Sequence, residues 1–176
     1  MNYDLDKIKL IISDVDGVWT DGTIYKGTNN LELKRFSVLD GVGIAMARAA
    51  NIKIALISGR FSAATDERAK ELNIIDVYNG SLNKIPPYEE LKLKYNLNNS
   101  NIAYIGDDLI DLPVMNKVSV PIAVANATEQ VKKIAAYITK SAGGNGAFRE
   151  AVSWIINGQG RMEEVMDIMG KRLLKS

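Results

Sequence analysis

Ile8-Lys-Leu-Ile-Ile-Ser-Asp-Val-Asp-Gly-Val-Trp-Thr-Asp-Gly22 is the stretch that decides how the rest of the chain is read. Its first six residues form a short apolar, β-branched run that stops in polar residues and Gly17, the pattern of a buried strand feeding a loop. Three similar runs follow at residues 53–58, 75–78 and 102–106, and residues 120–124 are a candidate fifth. Helical periodicity fills the intervals over residues 41–50, 62–72, 86–95, 109–116 and 128–136, with a further helix at 147–156. Strand alternating with helix predicts right-handed crossovers and a central parallel sheet covered on both faces, a three-layer α/β fold of Rossmann-like type. Residues 23–36 break the rhythm: two alternating runs around Gly27-Thr-Asn-Asn30 predict a β-hairpin just beyond the first strand.

Composition narrows the chemistry. The chain has 176 residues, 47% of them hydrophobic, enough for one well-buried core, so residues 1–176 are read as a single domain with a tail over 158–176. Its 22 Lys and Arg against 21 Asp and Glu give a net charge of +1, which advertises neither nucleic acid nor an anionic membrane as partner. No apolar run is long enough to span a bilayer and the first residues lack a leader pattern, so a cytoplasmic location is expected. There is no Cys and no His, which excludes disulfides, zinc fingers, thiol catalysis and Ser-His-Asp triads. An enzyme of this composition must work with carboxylates, Lys, Tyr or hydroxyls, and with a hard cation such as Mg²⁺ if it uses a metal.

In open parallel sheets ligands bind at the carboxyl ends of the strands. Asp14 and Asp16 follow the first strand, Ser58, Gly59 and Arg60 another, and Gly106, Asp107 and Asp108 a third, while Lys84 follows the strand that ends near Tyr78. Asp14 and Asp16 crowd two negative charges that a divalent cation relieves, and Asp107 completes an oxygen-rich shell suited to Mg²⁺. An ionised Asp is then the natural nucleophile for phosphorus, with Asp16 donating a proton to the leaving group and later taking one from water. Ser58 and Lys84 are placed to meet phosphoryl oxygens, and Gly17 and Gly59 let backbone approach closely. Asp108 and Asp111 either support this site from behind or cap the helix at Leu109.

Asp14-Val-Asp-Gly-Val-Trp-Thr-Asp-Gly22, Ser58-Gly-Arg60, Lys84 and Gly106-Asp-Asp-Leu-Ile-Asp-Leu-Pro-Val-Met115, in this order and spacing, resemble the haloacid dehalogenase superfamily, and more narrowly its 3-deoxy-D-manno-octulosonate 8-phosphate phosphatases. The resemblance runs from the first strand to about residue 150. It implies that Asp14 is nucleophile and Mg²⁺ ligand, that Asp16 is acid/base and lends its backbone carbonyl to the metal, and that Asp107 is the third ligand. It also implies a substrate loop at Ser37, Val38, Leu39, Asp40 and Gly41, and basic substrate contacts at Arg60, Arg68 and Lys84. Arg60 and Arg68, eight residues apart, would share a helix face if that helix begins early. The implied reaction is hydrolysis of a small phosphorylated sugar acid in lipopolysaccharide precursor synthesis. The implied assembly is a homotetramer without a large cap domain, in which hairpins and C-terminal tails help enclose neighbouring sites.

Within that resemblance, phosphatases of nine-carbon sugar acids of the sialic acid or KDN type are the close alternative, and Arg60 leans toward the eight-carbon substrate. Dehalogenation needs neither Asp16 nor the acidic shell. From other classes, a phospho-receiver signalling module shares the acidic pocket, hydroxyl and Lys, and a non-catalytic assembly subunit would not need the complete acidic set. Ile24, Tyr25, Leu31, Leu33 and Phe36 offer more apolar surface than a lone hairpin should expose, which predicts burial between subunits. Met162, Met166 and Met169 form a stripe read as packing surface.

Overall fold

The computed structural model describes residues 3–29 and 31–174. Strand β1 (Leu10–Ser13) buries all four side chains, as a central strand covered on both faces must. A short hairpin follows, β2 (Tyr25–Lys26) paired antiparallel with β3 (Glu32–Leu33), and Thr20 bridges to Phe36 at its base. Its strands are only two residues long. The expected turn at 27–30 extends to Asn30, which lies outside the described residues.

Helix α1 (Val38–Ala49) starts three residues earlier than the periodicity predicts, because Ser37 caps it by accepting the Leu39 N–H at 3.2 Å. Then come β4 (Lys53–Ser58), α2 (Ala63–Glu71), β5 (Asp76–Asn79), α3 (Ile85–Tyr95) and β6 (Ile102–Gly106). β5 is displaced by one residue from the expected run: Ile75 is 86% exposed, while Asp76 is buried and paired with Lys94 at 2.5 Å and with the Tyr95 hydroxyl. The predicted helix at 109–116 divides into a 3₁₀ turn, Leu109–Asp111, and a short α4 (Leu112–Met115), since Asp108 caps the turn and Pro113 opens the helix.

β7 (Val120–Ala123) leads through α5 (Glu129–Ile134), which stops two residues short of the predicted end because Ala135 is extended, into an unforeseen sixth strand, β8 (Tyr137–Ile138). The sheet is parallel throughout, in the order β5-β4-β1-β6-β7-β8, with Ile12 in register with Ala55 on one side and Tyr104 on the other. This order reverses around β1, the position where an open α/β sheet forms a crevice at its carboxyl edge.

α6 (Ala147–Gly158) buries Phe148, Ala151, Val152, Ile155 and Ile156, a helical stripe that packs against α1, and each fully buried large apolar side chain contributes ~1.5–3 kcal/mol. Phe148 meets Trp19 with ring centroids 4.4 Å apart, tying the loop after β1 to the core. α7 (Met162–Leu173) folds back on the same body. Met162 and Met169 pack against its core and Met166 is exposed, so two of the three methionines serve the expected packing. No helix among the described residues is long and apolar enough to cross a membrane.

Candidate active site

β1 delivers Asp14 at its end: the Asp14 N–H still donates to the Ile105 carbonyl at 2.9 Å, one ladder step past the strand. One carboxylate oxygen, Oδ1, accepts from the Val15 N–H at 2.7 Å and from Lys84 Nζ at 2.8 Å. Lys84 stands at the start of α3, only 2% exposed, and donates equally to Asp111 Oδ1 at 2.7 Å. That oxygen also takes the Tyr104 hydroxyl at 2.7 Å, while Asp111 Oδ2 accepts the Asp107 and Asp108 N–H groups at 3.0 and 3.2 Å. Both residues take part in capping the turn, since Asp111 accepts the Asp108 N–H. Asp108 caps the turn through the Leu109 N–H at 2.7 Å, and Asp111 is the buried brace that shapes the loop after β6.

The turn after Asp14 is built for close approach. Gly17 has φ +88°, and a Cβ there would lie 2.0 Å from Asp107 Oδ2. A Cβ on Gly143 would lie 1.8 Å from the Gly17 carbonyl, so the Gly143-Gly-Asn-Gly146 segment packs directly under the turn. Asn126 joins the two, donating to the Gly17 carbonyl at 3.3 Å and accepting the Gly143 N–H at 2.7 Å. Nothing in the spacing of the sequence singles out Asn126.

Asp14, Asp107 and Asp111 bring carboxylate oxygens within 4.8 Å of one another. Burial first, and then the negative charge of Asp111, pushes Asp14 up to about 7 against the opposing pull of Lys84. Burial, followed by the charges of Asp14 and Asp111, pushes Asp107 up to about 8. Burial alone would lower Lys84, but Asp14 and Asp111 hold its ammonium above the ordinary value. Three ionised carboxylates against one ammonium leave two negative charges uncompensated, the charge a single divalent cation cancels. Asp107 Oδ1 is buried with no hydrogen-bond partner among the described residues, whereas both oxygens of Asp111 are engaged. A hard divalent cation therefore fits beside Asp14 and Asp107, not at Asp111.

A cleft of about 260 Å³ opens over these groups and is lined also by Asp16, Gly59, Arg60 and Leu82. A larger hollow of about 490 Å³ lies at the opposite end of the sheet beside Lys9, Lys53 and Tyr95, without such a carboxylate cluster among the described residues, so chemistry and not volume selects the site. Ser58 ends β4, buried, with its hydroxyl donating to the Arg60 carbonyl at 2.9 Å. Asp16 accepts Lys34 Nζ at 2.6 Å, and the Lys34 side chain has no exposed surface. Nothing in the alternation of residues 23–36 encodes that contact.

Arg60 forms a two-pronged pair with Glu32 of β3, one prong 2.8 Å long, and Glu32 also takes Lys26 at 2.8 Å. Arg60 and Lys26 hold the Glu32 carboxyl well below its ordinary range. Arg60 lies before α2, not on it, so Arg60 and Arg68 do not share a helix face. Arg68 instead donates to the Ser37 carbonyl at 3.2 Å and to Glu71 at 2.7 Å.

The Ser37-to-Gly41 segment is not brought to the Asp14 cleft. Ser37 caps α1, Val38 and Leu39 are exposed, Gly41 abuts Leu72, and Asp40 is buried, accepting the Arg149 N–H at 3.1 Å at the start of α6.

Known proteins place this geometry in context. A family described as haloacid dehalogenase-like hydrolases matches residues 66–150. The 3-deoxy-D-manno-octulosonate 8-phosphate phosphatase of Salmonella typhi is 44% identical over 90% of this chain and 85% of its own. The crystal structure of the enzyme of that name from Yersinia pestis superposes with a TM-score of 0.88 at 42% identity, covering 90% of this chain and 86% of the other. The Moraxella catarrhalis enzyme, in complex with magnesium ion, phosphate ion and KDO, gives a TM-score of 0.89 at 38% identity, covering 94% and 95%.

Proposed function

The chain belongs to the haloacid dehalogenase-like hydrolases, in their 3-deoxy-D-manno-octulosonate 8-phosphate phosphatase family, and we propose that it hydrolyses that ester with Asp14 as the nucleophile. The carrying observation is the buried Lys84, which reaches Asp14 and Asp111 at once, favours the ionised form of the nucleophile and fixes it at a strand end. A carboxylate oxygen of Asp14 attacks phosphorus as the bond from phosphorus to the sugar oxygen breaks, and Asp16 gives its proton to that oxygen. Asp16 then takes a proton from the water that attacks the aspartyl phosphate, which releases phosphate and restores the Asp14 carboxylate. Ser58 and Lys84 meet phosphoryl oxygens, and Gly59 leaves room for them.

Mg²⁺ is the cofactor; the carboxylates of Asp14 and Asp107 and the backbone carbonyl of Asp16 would hold it, and when bound it would offset the repulsion between an anionic nucleophile and an anionic ester. Asp111 braces the loop that carries Asp107, and Asp108 caps it. Arg60 is the anchor for the sugar carboxylate, its planar fork suited to a two-pronged contact of the kind it makes with Glu32.

Residues 1–176 are proposed to work as one domain in the cytoplasm, serving lipopolysaccharide precursor synthesis, and four copies to assemble. Exposed Ile24, Tyr25, Leu31 and Leu33 on the hairpin, with exposed Val38 and Leu39, support that assembly. In it, Ser37 to Gly41 and Arg68 would act on substrate at a neighbour's cleft, and the tail would lie against a neighbouring copy. The Salmonella typhi, Yersinia pestis and Moraxella catarrhalis relatives carry the eight-carbon name, and the nine-carbon reading is not favoured. Phosphate release decides the matter. The expected result is rapid release from 3-deoxy-D-manno-octulosonate 8-phosphate with Mg²⁺, none in chelator, and slower release from nine-carbon sugar-acid 9-phosphates; preference for the nine-carbon ester overturns the substrate assignment.

A further inference from the structure

Asp16 keeps 29% of its side chain exposed, against 4% for Asp14. A carboxylate so open has room for several rotamers, whereas proton donation needs its oxygen within hydrogen-bond reach of one leaving-group atom. Lys34 supplies the missing constraint. Its Nζ donates to Asp16 Oδ1 at 2.6 Å and to Thr65 Oγ1 at 3.4 Å, so the ammonium is itself anchored on α2. Glu32 and Lys34, two apart, both reach toward the cleft while Leu33 between them is exposed, the alternation expected of extended chain.

An anchor for the hairpin would not require this arrangement. The segment is already tied down by Arg35 to Asp21 at 2.9 Å and by Glu32 to Arg60, pairs whose arginines stay 49% and 40% exposed. Burying a whole lysine side chain costs far more than such contacts, and here the buried ammonium ends on the one carboxylate whose aim matters for the leaving group.

We propose that Lys34 is a positioning residue for proton transfer, holding the Asp16 carboxyl where the departing sugar oxygen will be. The inference rests on Asp16 being the acid/base of the reaction proposed above. Its signature lies in the leaving group. A sugar alkoxide cannot depart without a proton, whereas a nitrophenolate can, so loss of aim should damage hydrolysis of the sugar ester and spare that of 4-nitrophenyl phosphate. The quantity to compare is kcat/KM, which reports steps up to departure of the leaving group and excludes the later attack of water.

Lys34→Met is expected to lower kcat/KM for 3-deoxy-D-manno-octulosonate 8-phosphate by ~10–100-fold, within the range of a general-acid contribution. For 4-nitrophenyl phosphate the change should stay within about threefold, and Lys34→Arg should restore most activity on the sugar ester. In an Asp16→Asn background, Lys34→Met should cause no further loss, because a residue acting only through Asp16 has nothing left to position. Equal losses on both esters, no loss on either, or a further drop in the Asp16→Asn background would overturn the proposal. Should Lys34→Met not fold, Lys34→Gln is read by the same ratio, and a chain that folds only with a cation at position 34 makes Lys34 a structural anchor instead. Wild-type protein that releases phosphate from neither ester sinks the phosphatase reading itself, a result distinct from any of these.

Discussion

The floor of the cleft and the hairpin beside it are both held by ion pairs, built on opposite terms. In the floor, the side chains of Lys84 and Asp111 have no exposed surface, Asp14 has 4%, and the three come from a helix start, a short turn and a strand end. On the hairpin, the strands are two residues long and the Glu32 to Arg60 pair leaves the arginine 40% exposed. Removing one partner of a buried pair costs ~3–5 kcal/mol because a charge is stranded. An exposed pair contributes ~0–1 kcal/mol. The same side-chain chemistry therefore fixes the nucleophile in one region and, at Arg60, leaves a cation open to a substrate in the other. Stability and specificity should respond to substitution in different places.

The largest expected effect breaks the floor chemically without breaking it structurally. Asp14→Asn should reduce turnover to background while the protein stays folded. In chelator it should be at least as stable as the wild type near pH 8, because a buried carboxylate displaced to about 7 is strained when ionised. Lys84→Met should damage both properties, losing ~3–5 kcal/mol in chemical denaturation and ~10²-fold or more in kcat.

Mg²⁺ sharpens the same contrast. The folded values of about 7 for Asp14 and about 8 for Asp107 lie above the ordinary 3.8, so the folded protein retains protons that the unfolded chain releases. Metal-free protein should then lose stability as pH rises from 3.8 toward 8, and the gain in Tm on adding Mg²⁺ should be greater near pH 8 than near pH 5. At ~100 times its Kd the ion should add ~2.7 kcal/mol. On the hairpin side, Arg60→Ala should raise KM for the sugar acid ester by ~10-fold with little change in kcat, and shift stability by less than ~1 kcal/mol.

The smallest effect lies away from both regions. Burial raises Asp40 to about 6 although the Arg149, Phe148 and Gly146 N–H groups oppose it, so wild-type stability should decline gently as pH rises from 3.8 through 6. Asp40→Asn should flatten that slope in urea titrations.

The strand ends were legible in the sequence because a fully buried parallel strand is an uninterrupted apolar run, and the polar residues that stop it are the ones at the carboxyl edge. Asp14, Ser58 and Asp107 are found in this way. β8 was not legible, since two residues after a helix carry no alternation to detect. The start of β5 is not legible because Ile75 looks like a core residue, whereas the buried one is Asp76, compensated by Lys94 and Tyr95 from α3. Lys34 and Asn126 are not legible for another reason. Each acts across more than a dozen residues of chain, Lys34 on Asp16 and Asn126 on Gly17 and Gly143, and no local pattern encodes such a contact. Arg68 shows the converse, a cation at suggestive spacing that the helix start removes from the cleft.

Trapping the covalent state is the most direct test of the account. Protein quenched in acid during turnover of 3-deoxy-D-manno-octulosonate 8-phosphate, then reduced with borohydride and digested, should carry its single modification at Asp14, and Asp14→Asn should carry none. Full turnover with no phosphoryl group recovered at Asp14, or with phosphorus found on another residue, would contradict it.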